Sequence, residues 1–148
     1  MFKHILIPTD GSPLSAKAAV AGVEFARAVG AKVTALFAAP APTPLVYEHF
    51  LPVGYMPPDQ HAEMIEQAAR RYLGAIEQAA KAAGVPCESV HLTSDFPADT
   101  IVATARKRRC DLIFMASHGR KGVSAILLGS ETQKVLAHGK IPVLVYRS

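Results

Sequence analysis

The chain has 148 residues, half of them hydrophobic, and a formal net charge of +4. This length fits one domain, and the apolar fraction can fill a sizeable core, which excludes whole-chain disorder and a small disulfide scaffold. No apolar run approaches the roughly 20 residues that span a bilayer. The first residues carry one lysine and a short apolar run ending at Pro8. That pattern is typical of a first strand rather than a signal peptide, so we expect no membrane association.

The cysteines and the basic run exclude further classes. Cys87 and Cys110 have neither metal-ligand spacing nor a C-x-x-C pattern. Buried thiols in a reducing compartment are the simplest interpretation, and we expect a cytoplasmic protein without a metal site. The four basic residues at 106–109 stand next to a predicted helix end without interleaved aromatic residues. They are typical of a solvated helix C-terminus, so we expect no nucleic-acid partner.

The first elements in chain order are a strand over residues 3–7, a helix and a strand over residues 32–38. Ser12 is a good N-cap, Pro13 suits the first helical position, and Gly30 is a helix stop signal. A Pro-rich stretch follows over residues 40–58. It cannot be a regular helix or a central strand, and loops this long are commonly lids or partly disordered segments.

The second half continues the alternation of helices and strands. Asp59 is predicted to cap a long helix that reaches Ala83, and strands are predicted over residues 87–92, 111–116 and 141–146. Pro97 opens a third helix, and Ser130 opens a short fourth one that ends at Gly139. This β/α order predicts a single α/β domain over residues 1–148, with an open parallel sheet covered by helices on both faces. The order of the strands does not follow from the pattern alone.

The loop over residues 117–129 carries three glycines: Gly119, Gly122 and Gly129. Glycine allows positive φ and close approach of a ligand, and the N–H groups at the helix start after the loop favour an anion. The Ser130 hydroxyl can donate to a phosphate oxygen, and Arg120 adds positive charge together with the next residue, Lys121. The loop therefore predicts a phosphate cradle.

A simpler interpretation of the same residues needs no ligand. Ser130 and Gln133 match the capping box S-x-x-Q, and the glycines can simply shape a turn. The spacing matches neither the Walker loop nor the dinucleotide-binding pattern after a first strand. Both interpretations of the loop stay open on the residues alone.

Three segments, in the same order, resemble the universal stress proteins of the UspA type. They are KHILIPTDGS at residues 3–12, DLIFMASHGR at residues 111–120, and the closing stretch from LGS at residues 128–130 to PVLVY at residues 142–146. The resemblance covers nearly the whole chain. It implies a five-stranded parallel sheet of order 3-2-1-4-5, in a Rossmann-like fold of the adenine nucleotide α-hydrolase-like type.

The ATP-binding branch of that family carries the motif G-x2-G-x9-G-[S/T]. Gly119, Gly129 and Ser130 match its later positions, whereas Ala116 replaces the first glycine. By resemblance, Asp10 binds the ribose, the Ala38 backbone meets the adenine, and backbone N–H groups of the glycine loop hold phosphates, with any Mg²⁺ bound mainly by the phosphates. The implied binding residues are Pro8, Thr9, Asp10, Ala38, Met115, Gly119, Gly129, Ser130 and Glu131. Asp10 as a turn residue and Met115 as core are the simpler alternatives.

The resemblance implies a stress-response regulator or sensor that binds ATP or another adenine nucleotide, with at most slow ATP hydrolysis and no catalytic residue. It also implies a homodimer that pairs through the last strand, over Val143, Leu144, Val145 and Tyr146. An apolar edge strand is prone to association, which favours such pairing. Two alternatives stay open. One is a UspA-type dimeric interaction module without nucleotide, and the other is an enzyme that consumes an adenine nucleotide.

Overall fold

Five strands and four helices alternate along the chain in the computed structural model. The structure describes residues 1–39, 57–119 and 128–147. The elements are β1 (His4–Thr9), α1 (Pro13–Val29), β2 (Lys32–Ala39), α2 (Pro58–Ala83), β3 (Cys87–Thr93), α3 (Pro97–Lys107), β4 (Leu112–Ala116), α4 (Ser130–His138) and β5 (Val143–Tyr146).

All five strands are parallel and lie in the order β3-β2-β1-β4-β5. The predicted parallel sheet is confirmed, and so is the strand order that the resemblance implies. Helices α1 and α2 pack on one face, around core residues such as Ile7 and Val23. Helices α3 and α4 pack on the other face, around Leu6, Ile113 and Val135. The near-continuous apolar strands fit a sheet that is covered on both sides.

Helix α1 begins and ends as predicted. The Ser12 hydroxyl accepts a hydrogen bond from the Ser15 N–H at 3.2 Å, and Gly30 closes the helix in the left-handed conformation at φ 72°. Both devices are local, because an N-cap serine satisfies a free N–H of its own first turn and a C-terminal glycine adopts positive φ without strain.

The start of α2 differs from the prediction. The helix begins at Pro58, Pro57 occupies the N-cap position without a side-chain hydrogen bond, and Asp59 lies in the first turn. The predicted Asp59 cap is therefore wrong. Pro58 belongs to the helix because proline is compatible with the first helical position. The remainder of the predicted Pro-rich loop, residues 40–56, lies outside the described residues.

The central strand β1 pairs with β2 over a longer stretch than it pairs with β4. The Lys3 carbonyl accepts from the Lys32 N–H next to β2, and the His4 carbonyl accepts from the Asp111 N–H next to β4. Even-numbered residues of β1 thus turn their peptide groups toward β4. Pro8 falls on that side and has no N–H to donate. The pairing of β1 with β4 stops at Leu6, whereas pairing with β2 continues to Thr9.

None of the helices in the described ranges is long and apolar enough to cross a membrane. The longest, α2, has 26 residues and keeps one buried stripe against the sheet, formed by Ile65, Ala69, Leu73, Ile76 and Ala80. Its remaining faces carry many charged side chains.

Two helical glycines test how tightly the layers pack. A methyl group at Gly22 of α1 would lie 2.8 Å from Ile7 Cδ1, whereas at Gly74 of α2 it would meet nothing within 4 Å. Replacing a mid-helix glycine by alanine gains about 0.5–1 kcal/mol in helix propensity. We expect Gly74→Ala to raise the free energy of unfolding by that amount, and Gly22→Ala to give a value about 1 kcal/mol lower than Gly74→Ala. Equal effects in urea denaturation would contradict the tight α1–β1 contact.

Candidate functional site

A cavity of about 1090 Å³ lies over the carboxyl ends of the central strands. Its walls come from the ends of β1, β2 and β4, from one face of α2, and from the first turns of α3 and α4. All nine residues implied as binding residues line it: Pro8, Thr9, Asp10, Ala38, Met115, Gly119, Gly129, Ser130 and Glu131. Ligands of open α/β sheets bind in such a crevice. It lies at the carboxyl ends of two neighbouring parallel strands whose connections leave toward opposite sides of the sheet.

The turn between β1 and α1 is held by its own side chains. Asp10 Oδ1 accepts a hydrogen bond from the Ser12 N–H at 2.8 Å. Thr9 Oγ1 accepts from the Gly11 N–H at 3.1 Å and lies 3.1 Å from Ser15 Oγ. Asp10 therefore acts as a turn residue, which was the simpler of its two interpretations from the sequence. A short carboxylate readily accepts a hydrogen bond from the backbone N–H two residues on.

The second oxygen of Asp10 lies close to Gly119, at the start of the glycine loop. A Cβ built on Gly119 would overlap Asp10 Oδ2. A Cβ on Gly129 would lie 2.9 Å from the Cα of His118. Among the described residues, neither of these two glycines has positive φ. The predicted positive φ is wrong for both, and the atoms close to them belong to the protein, so the close approach of a ligand stays a prediction. Gly122 lies outside the described residues.

Ala116 stands where the family motif has its first glycine, and it ends strand β4. Its carbonyl accepts a hydrogen bond from Thr132 Oγ1 at 3.0 Å, and the next N–H, that of Ser117, donates to the Tyr146 carbonyl at 2.8 Å. Its φ is not in the positive range that favours glycine. An alanine at this position therefore requires no strained backbone.

Helix α4 begins without a side-chain cap. Gly129, not Ser130, occupies the N-cap position, and Gln133 Nε2 donates to the Leu128 carbonyl at 2.7 Å. The capping box expected for Ser130 and Gln133 is therefore wrong. The structure records no hydrogen bond for the Ser130 side chain among the described residues. The first-turn N–H groups thus lack the oxygen acceptor that a cap supplies.

The side chains of the two residues after Ser130 form hydrogen bonds with other elements of the fold. Glu131 Oε2 accepts from the Ala98 N–H at 3.0 Å, so it serves the first turn of α3, which has no side-chain cap of its own. Thr132 Oγ1 donates to the end of β4. The Glu131 carboxylate and Ala98 are 33 residues apart in the sequence, so no local pattern predicts this hydrogen bond. Because the carboxylate is used by α3, only the backbone N–H of Glu131 is free to bind a ligand in the cavity.

The wall formed by α2 was not predicted from the sequence. The half-buried ring of Tyr72 packs against the core and on Gly11, whose φ is 79°. The same ring meets the Phe37 ring edge-on, with centroids 5.4 Å apart. Arg71 lies over the Tyr72 ring, with its guanidinium carbon 5.0 Å from the centroid, and lines the cavity. Periodicity cannot reveal these contacts, because they join residues far apart in the chain.

Side chains suited to covalent or metal chemistry are scarce here. Neither cysteine lines the cavity, and burial raises the pKa of the Cys87 and Cys110 thiols to about 11. Both thiols are therefore protonated near neutral pH and are poor nucleophiles. In the ranges that the structure covers, no three His, Cys, Asp or Glu side chains cluster as metal ligands.

The family model of the universal stress protein family matches residues 1–147. The chain belongs to the universal stress protein family. A relative from Thermus aquaticus, the universal stress protein in QAH/OAS sulfhydrylase 3'region, is 35% identical over 152 residues, which covers 99% of this chain and 100% of the relative.

Solved structures share the fold. Hypothetical protein MJ0577 of Methanocaldococcus jannaschii aligns with a TM-score of 0.77 at 22% identity, covering 100% of this chain and 97% of the other. A universal stress protein in complex with cAMP aligns at 0.68 and 24% identity, covering 99% and 97%. The Archaeoglobus fulgidus universal stress protein in complex with dAMP aligns at 0.62 and 18% identity, covering 98% and 97%.

The contact between Tyr72 and Gly11 gives a test of the site's architecture. Gly11 and Gly30 have similar φ, 79° and 72°, but a Cβ would overlap the Tyr72 ring at Gly11 and would meet nothing within 4 Å at Gly30. We expect Gly30→Ala to lower the free energy of unfolding by about 1 kcal/mol, the cost of the left-handed backbone alone. Gly11→Ala adds the steric cost and should lose at least about 2 kcal/mol. Equal losses in chemical denaturation would refute the packing of Tyr72 on this turn.

Proposed function

We propose that this universal stress protein binds ATP or another adenine nucleotide in the cavity and acts as a stress-response regulator or sensor. One observation carries the proposal: the uncapped first turn of α4 opens into the cavity beside the Ser130 hydroxyl, which has no hydrogen-bond partner among the described residues. Free N–H groups at a helix start, with the helix dipole behind them, are a favourable site for a phosphate.

The proposed ligand position follows from the walls of the cavity. The backbone N–H groups of Gly119, Ser130 and Glu131 hold the phosphates, and the Ser130 hydroxyl adds a donor. Gly129 borders the phosphates without donating, because its N–H already donates to the Ser117 carbonyl at 2.7 Å. Asp10 holds the ribose, and Mg²⁺ is bound mainly by the phosphates. The other residues that the resemblance implies border the nucleoside: Pro8, Thr9, Ala38 and Met115. Met115 is buried as well as cavity-lining, so it supports both the core and the ligand.

Structural neighbours support an adenine nucleotide as the class of ligand. Two proteins of the same fold were solved with cAMP and with dAMP, which share the adenine and one phosphate. The cavity volume lies at the upper end of the roughly 300–1,000 Å³ typical of ligand pockets, so a nucleotide with a longer phosphate chain also fits.

A regulatory role is favoured over rapid turnover. Phosphoryl transfer needs a residue that positions water or an acceptor, and usually carboxylates that hold the metal. In the proposed arrangement Asp10 is occupied by the Ser12 N–H and the ribose, and Glu131 is occupied by the Ala98 N–H. We therefore propose at most slow ATP hydrolysis. The free, protonated cysteines agree with the proposed cytoplasmic location.

We also propose a homodimer that pairs through β5. The strand lies at the sheet edge, and all four of its residues are half-buried in the single chain: Val143, Leu144, Val145 and Tyr146. An apolar edge with unpaired backbone groups is stabilised when a second strand covers it. The carbonyls of Pro142 and Tyr146 face β4, so alternation turns the peptide groups of Val143 and Val145 outward.

Nucleotide binding is tested at Gly129. A β-branched side chain there would enter the space of His118, so Gly129→Val should displace the first turn of α4 and abolish binding. Gly74→Val adds the same side chain where nothing lies within 4 Å, and it should bind like the wild type. The measurement is calorimetric titration with ATP and Mg²⁺, together with nucleotide extraction from the purified proteins. An unchanged affinity in Gly129→Val, or no adenine nucleotide bound by the wild type, would contradict the proposal.

The dimer is tested by removing one outward N–H from β5. Val145→Pro takes away a donor on the free edge while leaving the β4 side of the strand intact. Val145→Ala keeps the donor and serves as the control. In sedimentation experiments we expect the wild type and Val145→Ala to be dimers and Val145→Pro to be a monomer. A dimeric Val145→Pro protein would place the interface elsewhere.

A further inference from the structure

Two groups that attract anions lie on opposite walls of the cavity: the N-terminus of α4 and the Arg71 guanidinium. The α4 N-terminus approaches from the sheet face covered by α3 and α4, and Arg71 approaches from the face covered by α1 and α2. The turn formed by Asp10 and Gly11 lies between them. Gly119 contacts Asp10 on one side of this turn, and the Tyr72 ring contacts Gly11 on the other.

The guanidinium of Arg71 is held in place by its neighbour. It lies over the Tyr72 ring, 5.0 Å from the centroid, and Nη2 donates to the Tyr72 hydroxyl at 3.2 Å. A guanidinium stacked on an aromatic ring is restrained, so it loses less conformational freedom when it binds an anion. The Tyr72 ring is in turn fixed by Gly11 and by Phe37.

Arg71 and its neighbour Arg70 differ in their partners. Arg70 Nη2 lies 2.8 Å from Glu66 Oε1, an i,i+4 ion pair on the solvent side of α2. Within the described part of the chain, Arg71 forms no ion pair with a carboxylate and it lines the cavity, whereas Arg70 does not line it. Arg71 is also the one Lys or Arg among the described residues that line this cavity.

We infer that Arg71 binds a second anionic group of the ligand, on the 2′ or 3′ side of the ribose. The inference rests on the proposed function, in which Asp10 holds the ribose and the α4 N-terminus holds the 5′-phosphate. The ribose then lies between two anion-binding walls. The favoured ligand class is an adenine nucleotide that carries a 5′-phosphate and a further phosphate on the 2′ or 3′ oxygen.

Charge and geometry both support this class of ligand. A guanidinium binds phosphate through parallel N–H donors, and such charge-assisted bonds are among the strong ones. In the proposed arrangement the 5′-phosphates lie at the α4 side of the cavity, and Arg71 lies on the α2 wall. The position of the added phosphate, rather than the total charge, therefore decides whether Arg71 contributes.

The test compares ligands that carry two phosphates at different positions, with 5′-AMP as the reference, on matched variants. Calorimetric titrations use 5′-AMP, 5′-ADP, adenosine 2′,5′-bisphosphate and adenosine 3′,5′-bisphosphate with the wild type, Arg71→Gln, Arg71→Lys and Arg70→Gln. The wild type should bind one of the two bisphosphates about tenfold tighter than 5′-AMP, since a hydrogen bond between charged groups is worth roughly that factor. The bisphosphate that binds more tightly shows whether the second phosphate is carried on the 2′ or the 3′ oxygen.

The variants separate a ligand contact from a structural role. Arg71→Gln should lose the preference for the bisphosphate while keeping its affinity for 5′-AMP and 5′-ADP within about twofold, and Arg71→Lys should restore part of the preference because the charge remains. Arg70→Gln should match the wild type. Equal weakening of all four ligands by Arg71→Gln, or a wild type that binds 5′-AMP as tightly as both bisphosphates, overturns the inference and leaves the proposed function standing. A wild type that binds ATP but none of the four ligands overturns the inference alone, and one that binds neither these nor ATP overturns both.

Discussion

The site depends on the early end of one hydrogen-bonded ladder. Pro8 turns its peptide nitrogen toward β4 and has no hydrogen to donate, and the pairing of β1 with β4 stops at Leu6. The pairing of β1 with β2 and of β4 with β5 continues to the strand ends. A crevice therefore opens between the two central strands alone, and the turn at Asp10 and the loop at Gly119 meet above it.

The first turn of α4 is firmly placed although it lacks a cap. Thr132 ties it to the end of β4, Glu131 ties it to the start of α3, and Gln133 ties it to Leu128. The Gly129 N–H donates to the Ser117 carbonyl, whereas these side-chain bonds fix the backbone without using the N–H groups of Ser130 and Glu131. The turn is therefore pre-organised for an anion. Ala116 fits this arrangement because the close approaches occur at Gly119 and Gly129, not at the strand end.

Local chemistry was predictable from the sequence and long-range contacts were not. The cap at Ser12, the stop at Gly30 and the apolar strands follow from signals within a few residues, and the resemblance supplied the strand order. Sequence patterns misassigned the start of α2 and the role of Ser130, because proline is compatible with the first helical position and Gly129 can occupy an N-cap.

The partners of the site's walls show the same limit. Glu131 bonds to Ala98, 33 residues away in the sequence, and Tyr72 packs on Gly11 from a different helix. Such pairs become neighbours only after the sheet and its crossovers have formed. All nine residues implied by the resemblance do line one cavity, since they follow strands whose carboxyl ends lie at the same edge.

The central claim is that backbone amides at the start of α4 hold the phosphates of an adenine nucleotide. The most direct measurement is a titration of the isotope-labelled protein with ATP and Mg²⁺, followed by amide resonances. The account predicts large, saturable shifts at the N–H groups of Ser130 and Glu131, much smaller with adenosine than with ATP. Shifts confined to other parts of the chain, or equal shifts with adenosine, would contradict it.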